Sequence, residues 1–127
     1  MDTFDFANNI LSGKIDPVSN KVFFGQSAGL NITSGNNKSF FGHLSGNSTT
    51  TGTNNLFAGH NAGASNLTQN DNVFLGQNAG KYNSTGNRNT YIGEDAGINK
   101  TEGNSNTFIL LEMVPDVHLS ITWVIII

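Results

Sequence analysis

Cysteine is absent from this chain, which excludes disulfides and thiolate chemistry and says nothing of the redox compartment. Charge is scarce as well: 12% of residues are charged, about half the usual share. The 6 Lys and Arg form no cluster, which excludes a nucleic-acid footprint. Apolar residues reach only 36%, yet the net charge is just -3, so the high charge of a disordered chain is missing too. No apolar run is long enough to span a bilayer, and membrane insertion is not expected. The start, Met1-Asp2-Thr3-Phe4-Asp5-Phe6, lacks the basic residues and apolar run of a secretory signal, so no signal peptide is expected in this chain. Nor is there a Ser-His-Asp grouping, a paired-carboxylate arrangement or a phosphate-binding glycine loop that opens a helix. Nothing supports an enzyme, and no cofactor is implied.

Asn, Gly, Thr and Ser fill the gap, and they do so periodically. The stretch Asn72-Val73-Phe74-Leu75-Gly76-Gln77-Asn78-Ala79-Gly80 recurs with the skeleton aromatic-x-Gly-x-x-small-Gly. Its first glycine falls at Gly25, Gly42, Gly59, Gly76 and Gly93, each 17 residues from the next. The second falls at Gly29, Gly46, Gly63, Gly80 and Gly97 with the same step. The aromatic keeps it through Phe23, Phe40, Phe57, Phe74, Tyr91 and Phe108. Such fidelity is what stacked coils require, because each must offer its successor the same groups at the same height. The fold class is therefore all-β: a parallel β-solenoid, or β-roll, of 17-residue coils. Only Gly reaches φ > 0 or lets coils approach closely without cost, so the two glycine columns mark the corners. Gly-Asn pairs such as Gly86-Asn87 mark a further turn. No 3.6-residue pattern survives the glycines, so helix is not expected.

The residue after the aromatic is usually apolar too: Phe24, Phe41, Ala58, Leu75, Ile92 and Ile109. Neighbours on a strand point to opposite faces. The aromatic column then builds the structural core, and Phe24, Phe41, Leu75, Ile92 and Ile109 need an external cover. Left in water they would form a contiguous stripe, which soluble monomers avoid. A second copy of the same chain is the expected partner, as an oligomer contact.

With 127 residues there is room for one domain. Residues 1–20 read as a degenerate N-terminal capping coil: Phe6 lies 17 before Phe23, but Asn8 and Ser12 stand where the glycines belong. Pro17 removes a backbone donor and suits such an end. Residues 21–109 hold five full coils and the start of a sixth. Residues 110–127 leave the pattern, with Leu110, Met113 and Val114 in place of Gly, Ala and Gly. That apolar tail is a capping strand, the start of a truncated domain, or out-of-frame sequence.

Phe74-Leu75-Gly76-Gln77-Asn78-Ala79-Gly80, followed by Thr85-Gly86-Asn87-Arg88-Asn89-Thr90-Tyr91-Ile92-Gly93, resembles the glycine-rich head repeats of trimeric autotransporter adhesins. It is similar as well to repeats in bacteriophage tail fibres. The likeness covers about residues 21–109 and lies in repeat grammar rather than a catalytic signature. It implies a left-handed roll, three chains packed side by side as a homotrimer, and a shaft or head on an extracellular surface or virion tail fibre. It also implies attachment to a host or surface, through a surface glycan or protein receptor. The coil is longer and more aromatic than in those adhesin heads. No export or anchor piece is expected in this chain, which tilts the choice toward a phage or prophage fibre, or toward a fragment.

Candidate sites are sparse. His43 and His60 share a column and would stack about 5 Å apart, and two imidazoles there could share a metal. A metal site wants three or four ligands, and Gln26, Gln77 and Glu94 in that column make it a polar outer ladder. Glu94, Asp95 and Glu102 supply too few oxygens for calcium. Ser34, Thr51, Thr68 and Thr85 form a short hydroxyl ladder, which opens an alternative: a monomeric binding solenoid, for example ice-binding through a Thr/Asn face. The Asn-x-Ser/Thr triplets, such as Asn31-Ile32-Thr33 and Asn66-Leu67-Thr68, read as turn chemistry.

Overall fold

A chain that meets a glycine corner every 17 residues cannot stay extended for long. The computed structural model, which describes residues 3–6, 9–16, 18–113 and 121–126 and the side chains of 18–110, has short strands to match. In the array they are β3 (Lys21–Phe24), β4 (Lys38–Phe41), β5 (Asn55–Ala58), β6 (Val73–Leu75) and β7 (Thr90–Ile92). Each pairs in parallel with the next, and β7 pairs in parallel with β8 (Thr107–Met113). The register shift is one coil, so Phe23 faces Phe40, Phe40 faces Phe57, and so on to Phe108. These six parallel strands make a β-solenoid of about five turns, and no helix occurs among the described residues.

Corner geometry comes from particular residues. Gly59 ends β5 with φ 134°, and a Cβ there would sit 2.6 Å from the carbonyl carbon of Gly76 in the next coil. Gly63 has φ 59°, and its Cβ would meet the Phe57 ring at 2.6 Å. Between them Asn61 is also left-handed, as are Ser27, Leu44, Asn78 and Asp95 in the other coils. Asn and Asp tolerate that region through local hydrogen bonding, while Leu carries the ordinary Cβ penalty. Outside the strands the coils still bond to one another. Gly46 donates to Ala62 at 2.9 Å, Gly63 to Ala79 at 3.0 Å, and Thr50 to Leu67 at 2.8 Å.

Inside, rings stack at the strand spacing. Phe40–Phe57, Phe57–Phe74 and Phe74–Tyr91 have centroids 4.7, 4.9 and 4.8 Å apart and lie within 7° of parallel. That is the offset-stacked arrangement which in-register parallel pairing imposes on identical residues. Ala62, Ala79 and Ala96 pack beside them, fully buried, and Ser45 fills the same position with its hydroxyl donating to the Phe57 carbonyl at 3.1 Å. The other half of the interior is polar: Lys38, Asn55, Asn72 and Asn89 are buried on the strand side, with Thr49, Asn66 and Asn83 among the turns.

Both ends of the stack change direction. β1 (Thr3–Phe6) and β2 (Asn9–Asp16) form an antiparallel hairpin, and β2 lies antiparallel on β3 with Lys14 opposite Phe23. The stretch read from sequence as a degenerate coil therefore does not stack Phe6 over Phe23 in parallel. Ser12, standing where a corner glycine belongs, falls inside an eight-residue strand. Pro17, expected to suit a capping end, lies outside the described residues. At the other end Leu110 takes the glycine position, and β8 runs straight through it to Met113 before β9 (Ile121–Ile126) returns antiparallel. Where the corner residue is lost, the coil is lost.

Candidate interaction surface

Strand alternation decides what the sheet shows to its surroundings. In β3 to β5 the first and third residues are buried and the second and fourth are not. Phe24, Phe41, Ala58, Leu75, Ile92 and Ile109 thus form one outward column. Phe24 and Phe41 stack their rings at 5.9 Å on this surface, and Phe41 stays 41% exposed. Ile92 is 36% exposed, and Leu75 is half-buried.

A second column shares that face. Val22, Ser39, Leu56, Val73 and Thr90 are all half-buried and point the same way. The sequence reading put only the residue after the aromatic on the outer face and took the one before it simply as a strand former, although a period of two puts both outward. The face is therefore two residues wide, apolar in most rungs, and unbroken by any acidic or basic side chain from Val22 to Ile92.

Amide ladders occupy the opposite chemistry. Asn37 donates to Asn54 at 2.9 Å, and Asn54 to Asp71 at 2.8 Å. Asn61 donates to Asn78 at 3.2 Å, and Asn78 to Asp95 at 2.9 Å. A third, buried ladder links side chain to backbone. The N–H of Asn72 donates to Asn55 Oδ1 at 3.0 Å and that of Asn89 to Asn72 Oδ1 at 2.9 Å. Asn72 Nδ2 and Asn89 Nδ2 donate to the carbonyls of Gly86 and Gly103 at 3.0 and 2.8 Å. Hydropathy marks these asparagines as surface, so the sequence reading missed their burial; their constant place at the head of each strand was the available signal.

The remaining candidates fall as follows. His43 and His60 are exposed with rings 5.1 Å apart and 3° from parallel, and no group of three or more metal-ligating side chains forms among the described residues. Glu94, Asp95 and Glu102 are exposed, and Asp95 is held as the end of an amide ladder. Ser34, Thr51, Thr68 and Thr85 are all exposed and lie in one column. Of the glycosylation-like triplets, those at Asn66 and Asn83 begin with a fully buried residue. A cavity of about 350 Å³ opens over the last coil, where Ala96, Ile98, Phe108 and Leu110 line the place a further coil would fill.

Burial perturbs two titratable groups. The Lys38 ammonium, donating to the Ser34 carbonyl, is lowered to about 8, by burial first and the neighbouring Lys21 second. The Tyr91 phenol is pushed up to about 12 by burial alone. Neither lies on the exposed face, so both report on the interior rather than on a reactive site. Among the described residues no helix is long and apolar enough to cross a membrane. No protein family, curated protein or solved structure matches this chain.

Proposed function

We propose that this chain is a structural and adhesive repeat segment, a shaft or head in a trimeric cell-surface adhesin or phage tail fibre. Three copies pack through the two-column outward face, and the assembly sits on a cell surface or virion and attaches to a glycan or protein receptor. The observation that carries this reading is the outward column from Phe24 to Ile109, apolar in every coil, with Phe41 and Ile92 still more than a third exposed in one chain. A stripe of that kind is characteristic of a protein–protein interface. Solution mass by light scattering tests it on the full chain. Leu75→Asp places a charge in the middle of the face and should dissociate the oligomer, whereas Gln77→Asp, on the exposed polar column, should leave it intact. A monomeric wild type, or two variants that assemble alike, would remove the proposal.

A second reading rests on a different observation: the Ser34, Thr51, Thr68 and Thr85 hydroxyl column is exposed throughout and repeats at the coil spacing. It supports a monomeric solenoid that binds a regular lattice, such as ice, through its Thr/Asn face. Thermal hysteresis and ice shaping test that reading, and ordinary ice growth eliminates it.

A further inference from the structure

Thr49, Asn66 and Asn83 occupy one position in three successive coils, and none has any solvent exposure. Each holds a polar atom with no hydrogen-bond partner in the protein: Thr49 Oγ1, both Oδ1 and Nδ2 of Asn66, and Asn83 Oδ1. The fully buried Tyr91 hydroxyl is in the same condition. Elsewhere in the molecule amides bond their neighbours one coil away, as Asn37 does Asn54. Here they do not, because Asn83 turns its Nδ2 to the Gly86 carbonyl at 2.9 Å, sharing that acceptor with Asn72.

The column's place is set on two sides. Ile32, its first member, packs against the aromatic and alanine core, and Asn83 meets the buried asparagine ladder at Gly86. It therefore lies in the polar half of the interior and borders the apolar half at Ile32. Ile32 closes one end, and Lys100 takes the same position in the last coil. Leaving such groups unpaired in a low-dielectric interior is costly, and native interiors pair them, with ordered water where protein offers nothing.

We propose that this column is an internal water site: a short file of ordered waters along the solenoid axis, bridging Thr49, Asn66 and Asn83. The mixture of groups selects the ligand. Thr49 Oγ1, Asn66 Oδ1 and Asn83 Oδ1 accept, which a small cation would satisfy, but Asn66 Nδ2 donates and needs an acceptor. Water serves both, and buried waters make about three such bonds each. Three rungs at the strand spacing span roughly 10 Å, a length that two or three waters at hydrogen-bond spacing would match. The site is intramolecular and does not depend on how copies assemble.

A crystal structure of the full chain at a resolution that shows water tests this directly. Density within hydrogen-bonding distance of Asn66 and Asn83 is the expected result. Amides turned to bond each other, with the Thr49 hydroxyl on a carbonyl and no density between, would overturn it. In solution, cross-relaxation between the Asn66 and Asn83 side-chain amide protons and long-lived water should be present, and its absence counts against the file.

Discussion

The two halves of the interior use one rule of stacking with opposite chemistry. On one side a column of rings repeats at 4.7–5.0 Å and gains by excluding water. On the other, a column of asparagines repeats with the same step and gains by pairing its amides with the coil above or below. The ring column tolerates variation in shape, since Tyr91 stands among phenylalanines with its stack intact. The amide column tolerates little, because Asn72 both accepts from the next coil and donates into it. This polar ladder is possible because translation by one coil brings a complementary group to each of its members, which a globular interior cannot promise.

The largest effects should come from breaking either column at mid-array. Phe57→Ala removes a fully buried ring from between two others and should cost about 3–5 kcal/mol. Asn72→Ala leaves the Asn89 N–H without its acceptor and takes a donor from the Gly86 carbonyl. Asn83 still donates to that carbonyl, so one buried group is left unpaired, and at about 1–3 kcal/mol the cost stays below that of the ring. Denaturant unfolding of both variants measures the comparison. If Asn72→Ala costs under about 0.5 kcal/mol, the ordinary range for a surface substitution, the polar half is solvated and not a core.

A smaller effect separates the halves by pH. Lys38 ordinarily titrates at 10.5 and is lowered to about 8 in the fold. Between those values the unfolded chain holds a proton that the folded chain has released, so stability rises with pH across that window. Tyr91 runs the other way: its ordinary value of 10.0 is raised to about 12. The folded phenol keeps a proton that the unfolded chain loses, and stability falls as pH climbs from 10 toward 12. Thermal melts should therefore be highest near pH 10, where the two windows meet. In Lys38→Met the rise should vanish while the alkaline fall persists. A wild-type midpoint that is flat from pH 8 to 10 would mean that Lys38 reaches water.

Much of this was legible in the repeat. The 17-residue period specifies parallel pairing, since only an in-register stack returns each aromatic to the same height. The all-β solenoid follows from it, as does the position of the aromatic column. What lay beyond the sequence reading was the direction in which polar residues point. Asn66 and Lys38 look like surface by composition, and they are buried because the 17-residue turn folds them inward. The ends were not legible either. Ser12 and Leu110 announce only that a corner is missing; that the chain then runs on and reverses as an antiparallel hairpin depends on the open sheet edge it meets.

The smallest effect would sharpen the comparison by lengthening an amide ladder. Leu44 is left-handed at φ 60°, in a column otherwise held by Ser27, Asn61, Asn78 and Asp95. A left-handed residue with an ordinary side chain costs roughly 1–2 kcal/mol, and Asn relieves part of that. Leu44→Asn also sits one coil from Asn61, whose own amide donates to Asn78 at 3.2 Å, so its Nδ2 faces the Asn61 Oδ1 as a new rung. Leu44 is only half-buried, so the substitution sacrifices little apolar packing. The variant should gain about 0.5–1 kcal/mol, read as a rise of a few degrees in the thermal midpoint. Leu44→Ala divides the causes, since it removes the same packing and supplies neither left-handed tolerance nor an amide. If Leu44→Asn proves no more stable than Leu44→Ala, ladders in this protein order the side chains without stabilising the stack, and the polar half owes its stability to the backbone bonds alone.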